Sequence, residues 1–153
     1  MKKYFFDMDN TLCDMFSQLI EYGYESKELY AYSKVEAKAI KKAIFTYEFF
    51  VNMQPTPLVS FLKKLLQDNE NVRILTALPD VNVEAVKRAK HDWVKKHIGD
   101  IEIIFTDSQE EKADHCKLDN HVLIDDNFKA LKPWLEAGGI VIKVSDEFEM
   151  LEL

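Results

Sequence analysis

Tyr4-Phe5-Phe6-Asp7-Met8-Asp9-Asn10-Thr11-Leu12 is a short apolar run that empties directly into two carboxylates. A continuous apolar run of this length suits a strand buried on both faces, as in a parallel sheet. Residues two apart on a strand share a face, so Asp7 and Asp9 turn to the same side at its end. Two carboxylates this close repel unless a proton or a cation sits between them. Taken alone, the same pair also reads as two aspartates capping a turn.

Four further runs of strand length follow, at residues 72–75, 101–105, 122–124 and 140–144. Helical stretches separate them. Thr56 followed by Pro57 predicts an N-cap with proline in the first turn, opening a helix over 57–67. Asp80 is expected to cap a helix carrying Val83, Val86, Ala89, Trp93, Val94 and His97 at three-to-four spacing. Asn127 is expected to cap the segment after the fourth strand, with Gly138-Gly139 ending it. Alternating strands and helices predict an α/β fold, a Rossmann-like parallel sheet of about five strands with helices on both faces.

One interval is too long for a crossover, which needs only about a dozen residues. The surplus, residues 14–54, is expected to be a helical insertion, leaving 1–13 and 55–153 as the core. It departs from the C-terminal end of the first strand, the edge where open α/β sheets bind ligands. Half of the chain's aromatics fall within it: Phe16, Tyr22, Tyr24, Tyr30, Tyr32, Phe45, Tyr47, Phe49 and Phe50. Two readings stand side by side, a small core belonging to the insertion and an aromatic wall facing a pocket. Lys34, Lys38, Lys41 and Lys42 read chiefly as a solvated helix face, with a second reading in which one of them meets a substrate phosphate.

Two more strand ends carry chemistry. The run at 122–124 opens into Asp125, Asp126 and Asn127, and the run at 72–75 ends in Thr76. Each is ordinary by itself as a turn or a cap. All three features share one topological location, the C-terminal tip of a strand. Carboxylates supply the hard oxygen ligands that suit Mg²⁺, which binds one or two of them together with water and phosphate.

The chain has 153 residues, 47% hydrophobic and 31% charged, which fits one folded domain carrying a modest insertion. Twenty Lys and Arg against 27 Asp and Glu leave a net charge of −7, which disfavours a protein that coats nucleic-acid polymers. Cys13 and Cys116 make no disulfide framework. No apolar run approaches the roughly 20 residues of a membrane span. Asp7 and Asp9 interrupt the one stretch that resembles a signal peptide. The expected setting is cytoplasmic, with no membrane partner, as a monomer or homodimer.

Asp7-Met8-Asp9-Asn10-Thr11, then Leu75-Thr76, then a lysine, then Ile124-Asp125-Asp126 resemble the four motifs of the haloacid dehalogenase (HAD) superfamily of phosphotransferases. The resemblance runs from the first strand to the fifth, and residues 14–54 resemble its small helical cap. Phe49-Phe50 ahead of Pro55-Thr56-Pro57, and the run from Asp92 to Gly99, narrow it toward the 5'(3')-deoxyribonucleotidases. The chain departs from that narrower pattern at Asn10 and Thr11, and at Ala77, where a second hydroxyl is usual.

The resemblance implies a Mg²⁺-dependent phosphomonoesterase acting on a small phosphorylated substrate, a nucleotide in the narrower reading. Asp7 would be the nucleophile. Asp9 would protonate the leaving alkoxide and lend its backbone carbonyl to the metal. Thr76 would hold phosphoryl oxygens. Lys112, preferred over Lys117, would be the motif lysine. Asp126 would ligate Mg²⁺ beside Asp7, with Asp125 supporting it, although the reverse assignment stays open. Asn10, Ala77, Phe49 and Phe50 would face the substrate. A phosphoryl-accepting signalling domain of the receiver type also gathers acids, a hydroxyl and a lysine around Mg²⁺. Its adjacent acids come early in the chain, whereas here they come at the fourth strand.

Overall fold

The computed structural model describes residues 1–152; the side chains of Tyr30 and Glu152 fall outside the description, so the expectation for the Tyr30 ring does too. Six strands form one sheet: β1 (Lys3–Phe6), β2 (Asn71–Ala77), β3 (Ile103–Thr106), β4 (His121–Asp125), β5 (Ile140–Val144) and β6 (Met150–Glu152). Their order is β3-β2-β1-β4-β5-β6. The first five run parallel, and β6 pairs antiparallel with β5. The five expected strands are present, and β6 is an addition. Phe148 takes a left-handed φ of 60° in the turn before it, a conformation that glycine usually signals. Without that signal, three residues are too few to read as a strand.

Alternation along the strands builds two cores. Phe6, Ile74, Val122, Ile124 and Val144 point to one face, where they meet α5 (Leu58–Gln67) and α6 (Val83–His97). Phe5, Leu75, Leu123 and Val141 point to the other, against α7 (Phe128–Glu136) and Cys116. A 3-10 turn, Glu110–His115, precedes β4. Both sheet faces are covered, as parallel strands require.

The helix starts follow local capping chemistry. The Thr56 hydroxyl accepts from the Leu58 N–H at 3.2 Å and donates to the Thr11 carbonyl, so the expected cap also ties α5 to the end of the first motif. Asn127 caps α7 through the Lys129 N–H at 2.9 Å. Asp80 does not cap α6. Asn82 occupies that position with a φ of 49°, and Asp80 pairs instead with Lys38 at 3.2 Å.

Residues 14–54 form four helices: α1 (Met15–Glu21), α2 (Ser26–Ala31), α3 (Lys34–Ile44) and α4 (Tyr47–Val51). The two ends of this stretch clasp each other. Asp14 N–H donates to the Gln54 carbonyl and Thr56 N–H to the Leu12 carbonyl, both at 2.9 Å. Phe45, Phe49 and Phe50 are buried and packed on one another with ring centroids 5.0–5.2 Å apart. They share one apolar cluster with Trp93 and Val86 of α6, so the insertion has no separate core. Polar ties reinforce the contact. The Asn82 amide donates to the carbonyls of Lys42 and Phe45, and the Trp93 indole donates to that of Met53. No helix among the described residues is long and apolar enough to cross a membrane.

Two expectations concern the base of the sheet, away from the acidic strand ends. A Cβ on Gly139 would strike the buried Trp134 indole and the Cys116 sulfur. Gly139→Ala should therefore lower stability by about 2 kcal/mol in urea unfolding. His121 is buried at the start of β4, and its Nδ1 accepts from the Lys117 N–H at 3.2 Å. Burial holds its imidazole below the usual 6.5. The unfolded chain takes up this proton as pH falls through about 6.5 while the folded chain does not, so the contribution is complete above that pH and declines below it. The urea midpoint should drop between pH 7 and pH 5.5, and His121→Gln should flatten part of that slope.

Candidate active site

Asp7 leaves the end of β1 with its backbone N–H donating to the Ile124 carbonyl at 3.0 Å, which locks it beside β4. The chain then turns sharply. The Met8 carbonyl accepts from the N–H groups of Thr11, Leu12 and Cys13 at 2.8–3.0 Å. Asn10 sits at a left-handed φ of 59°, which asparagine tolerates better than most residues. Its Oδ1 accepts from the Phe16 N–H at 3.0 Å, so the same turn also fixes the start of α1.

Around Asp7 the partners are specific. Oδ1 accepts from Lys112 Nζ at 2.9 Å, and Oδ2 from the Thr11 hydroxyl at 3.2 Å. Lys112 is fully buried and also donates to Asp125 Oδ2 at 2.7 Å. The other Asp125 oxygen accepts from the Asn127 N–H at 3.0 Å. Lys112 thus bridges the first and fourth strand ends, whereas Lys117 is exposed. With both Asp125 oxygens engaged, Asp126 is the fourth-strand carboxylate that reaches the cavity.

Oxygens of Asp7, Asp125 and Asp126 lie within 4.8 Å of one another. Their charges follow from that crowding. Burial pushes the Asp7 carboxyl upward, but the Lys112 ammonium and hydrogen bonds from Asp126 and Lys112 outweigh it and hold Asp7 below the usual range. Burial and the Asp7 charge push Asp125 up to about 7 against the pull of Lys112. Burial and the charges of Asp7 and Asp125 push Asp126 up to about 11. Such a set favours a cation. Hard carboxylate oxygens at this spacing fit Mg²⁺.

A second buried lysine was not anticipated. Lys90 of α6 is fully buried, and its Nζ donates to Asp9 Oδ2 at 3.1 Å, Thr76 Oγ1 at 2.6 Å and the Ala77 carbonyl at 3.1 Å. The other Asp9 oxygen is buried with no hydrogen-bond partner among the described residues. Burial and the Asp7 charge outweigh the Lys90 ammonium and raise the Asp9 pKa. The sequence held a signal for Lys90: it interrupts the apolar stripe of Val86, Ala89 and Trp93, where a lysine survives only with partners.

A cavity of about 230 Å³ opens above these groups. Asp7, Asp9, Asn10 and Asp126 line the side at the strand ends, and Met15, Leu19, Leu29, Phe45 and Phe50, all from residues 14–54, line the facing side. Two expected contacts differ. The Thr76 hydroxyl is fully buried and engaged by Lys90, while Ala77, Leu78 and Pro79 form the cavity wall at the end of β2. Phe49 is fully buried behind the wall, edge-on to Phe50, so only Phe50 of that pair faces the cavity. The Phe45 ring faces the cavity too.

No family model matches the chain, and neither does any curated protein sequence. Solved structures do. A HAD hydrolase, family IA, variant 3, from Entamoeba histolytica aligns with a TM-score of 0.63 at 14% identity, covering 97% of this chain and 86% of that one. A hydrolase from Pseudomonas syringae aligns with a TM-score of 0.61 at 13% identity, with coverage of 97% and 86%. A HAD-superfamily hydrolase from Ehrlichia chaffeensis aligns with a TM-score of 0.52 at 17% identity, covering 97% and 91%. The fold is that of the HAD-superfamily hydrolases.

Lys112 carries a stability expectation. Lys112→Met would strand two buried carboxylates without a counter-charge and should cost about 3–5 kcal/mol in urea unfolding. Lys117→Met, on the surface, should stay within about 0.5 kcal/mol of the parent.

Proposed function

We propose that the chain is a Mg²⁺-dependent phosphomonoesterase that works through an aspartyl-phosphate on Asp7, with residues 14–54 as its cap. The observation that supports it most is the placement of Asp7. Its carboxylate is kept ionised by Lys112, oriented by Thr11 and set beside Asp126 at the acidic side of the cavity. A carboxylate so held is a competent nucleophile toward phosphorus.

In this reading an Asp7 oxygen attacks the phosphorus, and the bond to the leaving oxygen breaks. The Asp9 carboxyl gives its proton to the departing alkoxide. The resulting Asp9 carboxylate then takes a proton from water, whose oxygen attacks the phosphorus and releases Asp7 with inorganic phosphate. Lys90 fixes the Asp9 side chain for both steps, and Thr76 serves by holding Lys90. Asp7, the Asp9 backbone carbonyl and Asp126 would hold Mg²⁺, which when bound offsets the repulsion between an anionic nucleophile and an anionic phosphate. Asp125 keeps Lys112 in place. Positioning and electrostatics supply most of the rate in such chemistry.

For the leaving group we favour a nucleoside, making the chain a 5'(3')-deoxyribonucleotidase acting on nucleoside monophosphates. The cap side supports this with the rings of Phe45 and Phe50 among aliphatic side chains, a surface suited to a flat base. Asn10 and Ala77 border the phosphate end.

Purified protein should hydrolyse deoxynucleoside monophosphates faster than sugar phosphates in a panel assayed by phosphate release. EDTA should abolish the activity and added Mg²⁺ restore it. Asp7→Asn should fall to background, and Asp9→Asn should lose about 10²–10⁴-fold in kcat. Turnover that survives both EDTA and Asp7→Asn would refute the mechanism. A sugar phosphate at the head of the ranking would refute the nucleotide assignment alone.

A further inference from the structure

The cap side of the cavity holds a charge that hydrolysis of a simple phosphomonoester does not use. Lys41, in the last turn of α3, is half-buried, and it is the one cationic side chain among the described residues that line the cavity. Among the described residues no carboxylate lies within 4.0 Å of its ammonium, whereas its neighbour Lys38 is paired with Asp80. Lysines are favoured at helix C-termini for the dipole alone, but that role needs no burial against a cavity.

The surroundings extend the feature. Lys34, Lys38 and Lys41 follow at helical spacing on one face of α3. They line a shallow groove of about 360 Å³, together with Leu29, Tyr32 and Asp80. Leu29 and Lys41 line both the groove and the catalytic cavity, so the two are continuous. On a molecule of net charge −7, a lysine-lined channel running outward from a phosphate site concentrates anions along one path. Apolar Leu19, Leu29 and Phe45 also face the cavity, where the body of a leaving group would rest.

We propose that Lys41 is a specificity residue for a second anionic group, so that the preferred substrates are phosphomonoesters carrying a further phosphate or carboxylate on the leaving group. Within the nucleotide reading this means a nucleoside 3',5'-bisphosphate over the corresponding monophosphate. The inference rests on the phosphomonoesterase reading, and its test separates the two.

The experiment compares matched pairs in wild type, Lys41→Gln and Lys41→Arg. One pair is deoxyadenosine 5'-monophosphate and its 3',5'-bisphosphate; the other is glycerol 3-phosphate and 3-phosphoglycerate, which separates phosphate from carboxylate recognition. Wild type should favour the doubly anionic member of at least one pair by about tenfold in kcat/KM, mostly through KM, as expected of a charge-assisted hydrogen bond. Lys41→Gln should reduce that ratio to within about twofold of unity, and Lys41→Arg should keep most of it. Equal rates within both wild-type pairs, or a ratio untouched by Lys41→Gln, would overturn the proposal. Calorimetry of the same pairs on Asp7→Asn, with and without Lys41→Gln, reads binding apart from turnover. Absence of hydrolysis with Lys41-dependent binding would sink the phosphatase reading and leave Lys41 as the anchor of a doubly anionic ligand; absence of that binding preference as well would sink both.

Discussion

The buried ion triad of Asp7, Lys112 and Asp125 is the constraint around which the acidic edge of the sheet is arranged. Lys112 reaches two carboxylates at 2.9 and 2.7 Å, with its side chain wholly out of water. Desolvating three charges costs more than an exposed pair returns, so the geometry must be nearly complete to be tolerated. It is completed by backbone. The Asn127 N–H meets the second Asp125 oxygen, and the Ile124 carbonyl takes the Asp7 N–H. One lysine therefore pins the ends of β1 and β4 together while fixing the ionisation of the residue proposed to attack phosphorus.

A second cation works in parallel on the other side. Lys90 satisfies Asp9, Thr76 and the Ala77 carbonyl, tying the first motif to the end of β2 through α6. Each of the two proposed reacting carboxylates thus has its own buried ammonium. Their pKa directions differ because their burial and charge environments differ: Asp7 is held down and Asp9 is pushed up. Divergent titration of two neighbouring acids is the arrangement that acid–base chemistry on one substrate calls for.

Much of this was readable in the chain. The parallel strands showed as continuous apolar runs, and Asp7, Asp125, Asp126 and Thr76 were found at strand ends because a sheet with one ligand-binding edge leaves few places for chemistry. Lys112 was preferred on the same ground, its nearness to the end of β3. Other features were hidden for identifiable reasons. Lys90 lies on a helix, fourteen residues beyond the threonine it engages, and its one local mark, a place in the apolar stripe of α6, does not say which partners it meets. Asp80 looks like a helix cap, but a lysine from the insertion reaches it first and Asn82 takes its place. Phe49 and Phe50 are adjacent and alike in sequence, yet consecutive helical residues face different ways, so one lines the cavity and the other backs it.

Phe50 ends up in two structures at once. Its ring forms part of the cavity wall and also packs on Phe45 and Phe49 in the cluster that joins the insertion to α6. The shape of the cavity and the thermodynamic robustness of the fold are therefore entangled in a single side chain. Shrinking Phe50 to widen the cavity would loosen the seam beneath it. The less buried rim, at Ser26 and Leu78, is where the cavity's shape can change at lower cost to the fold.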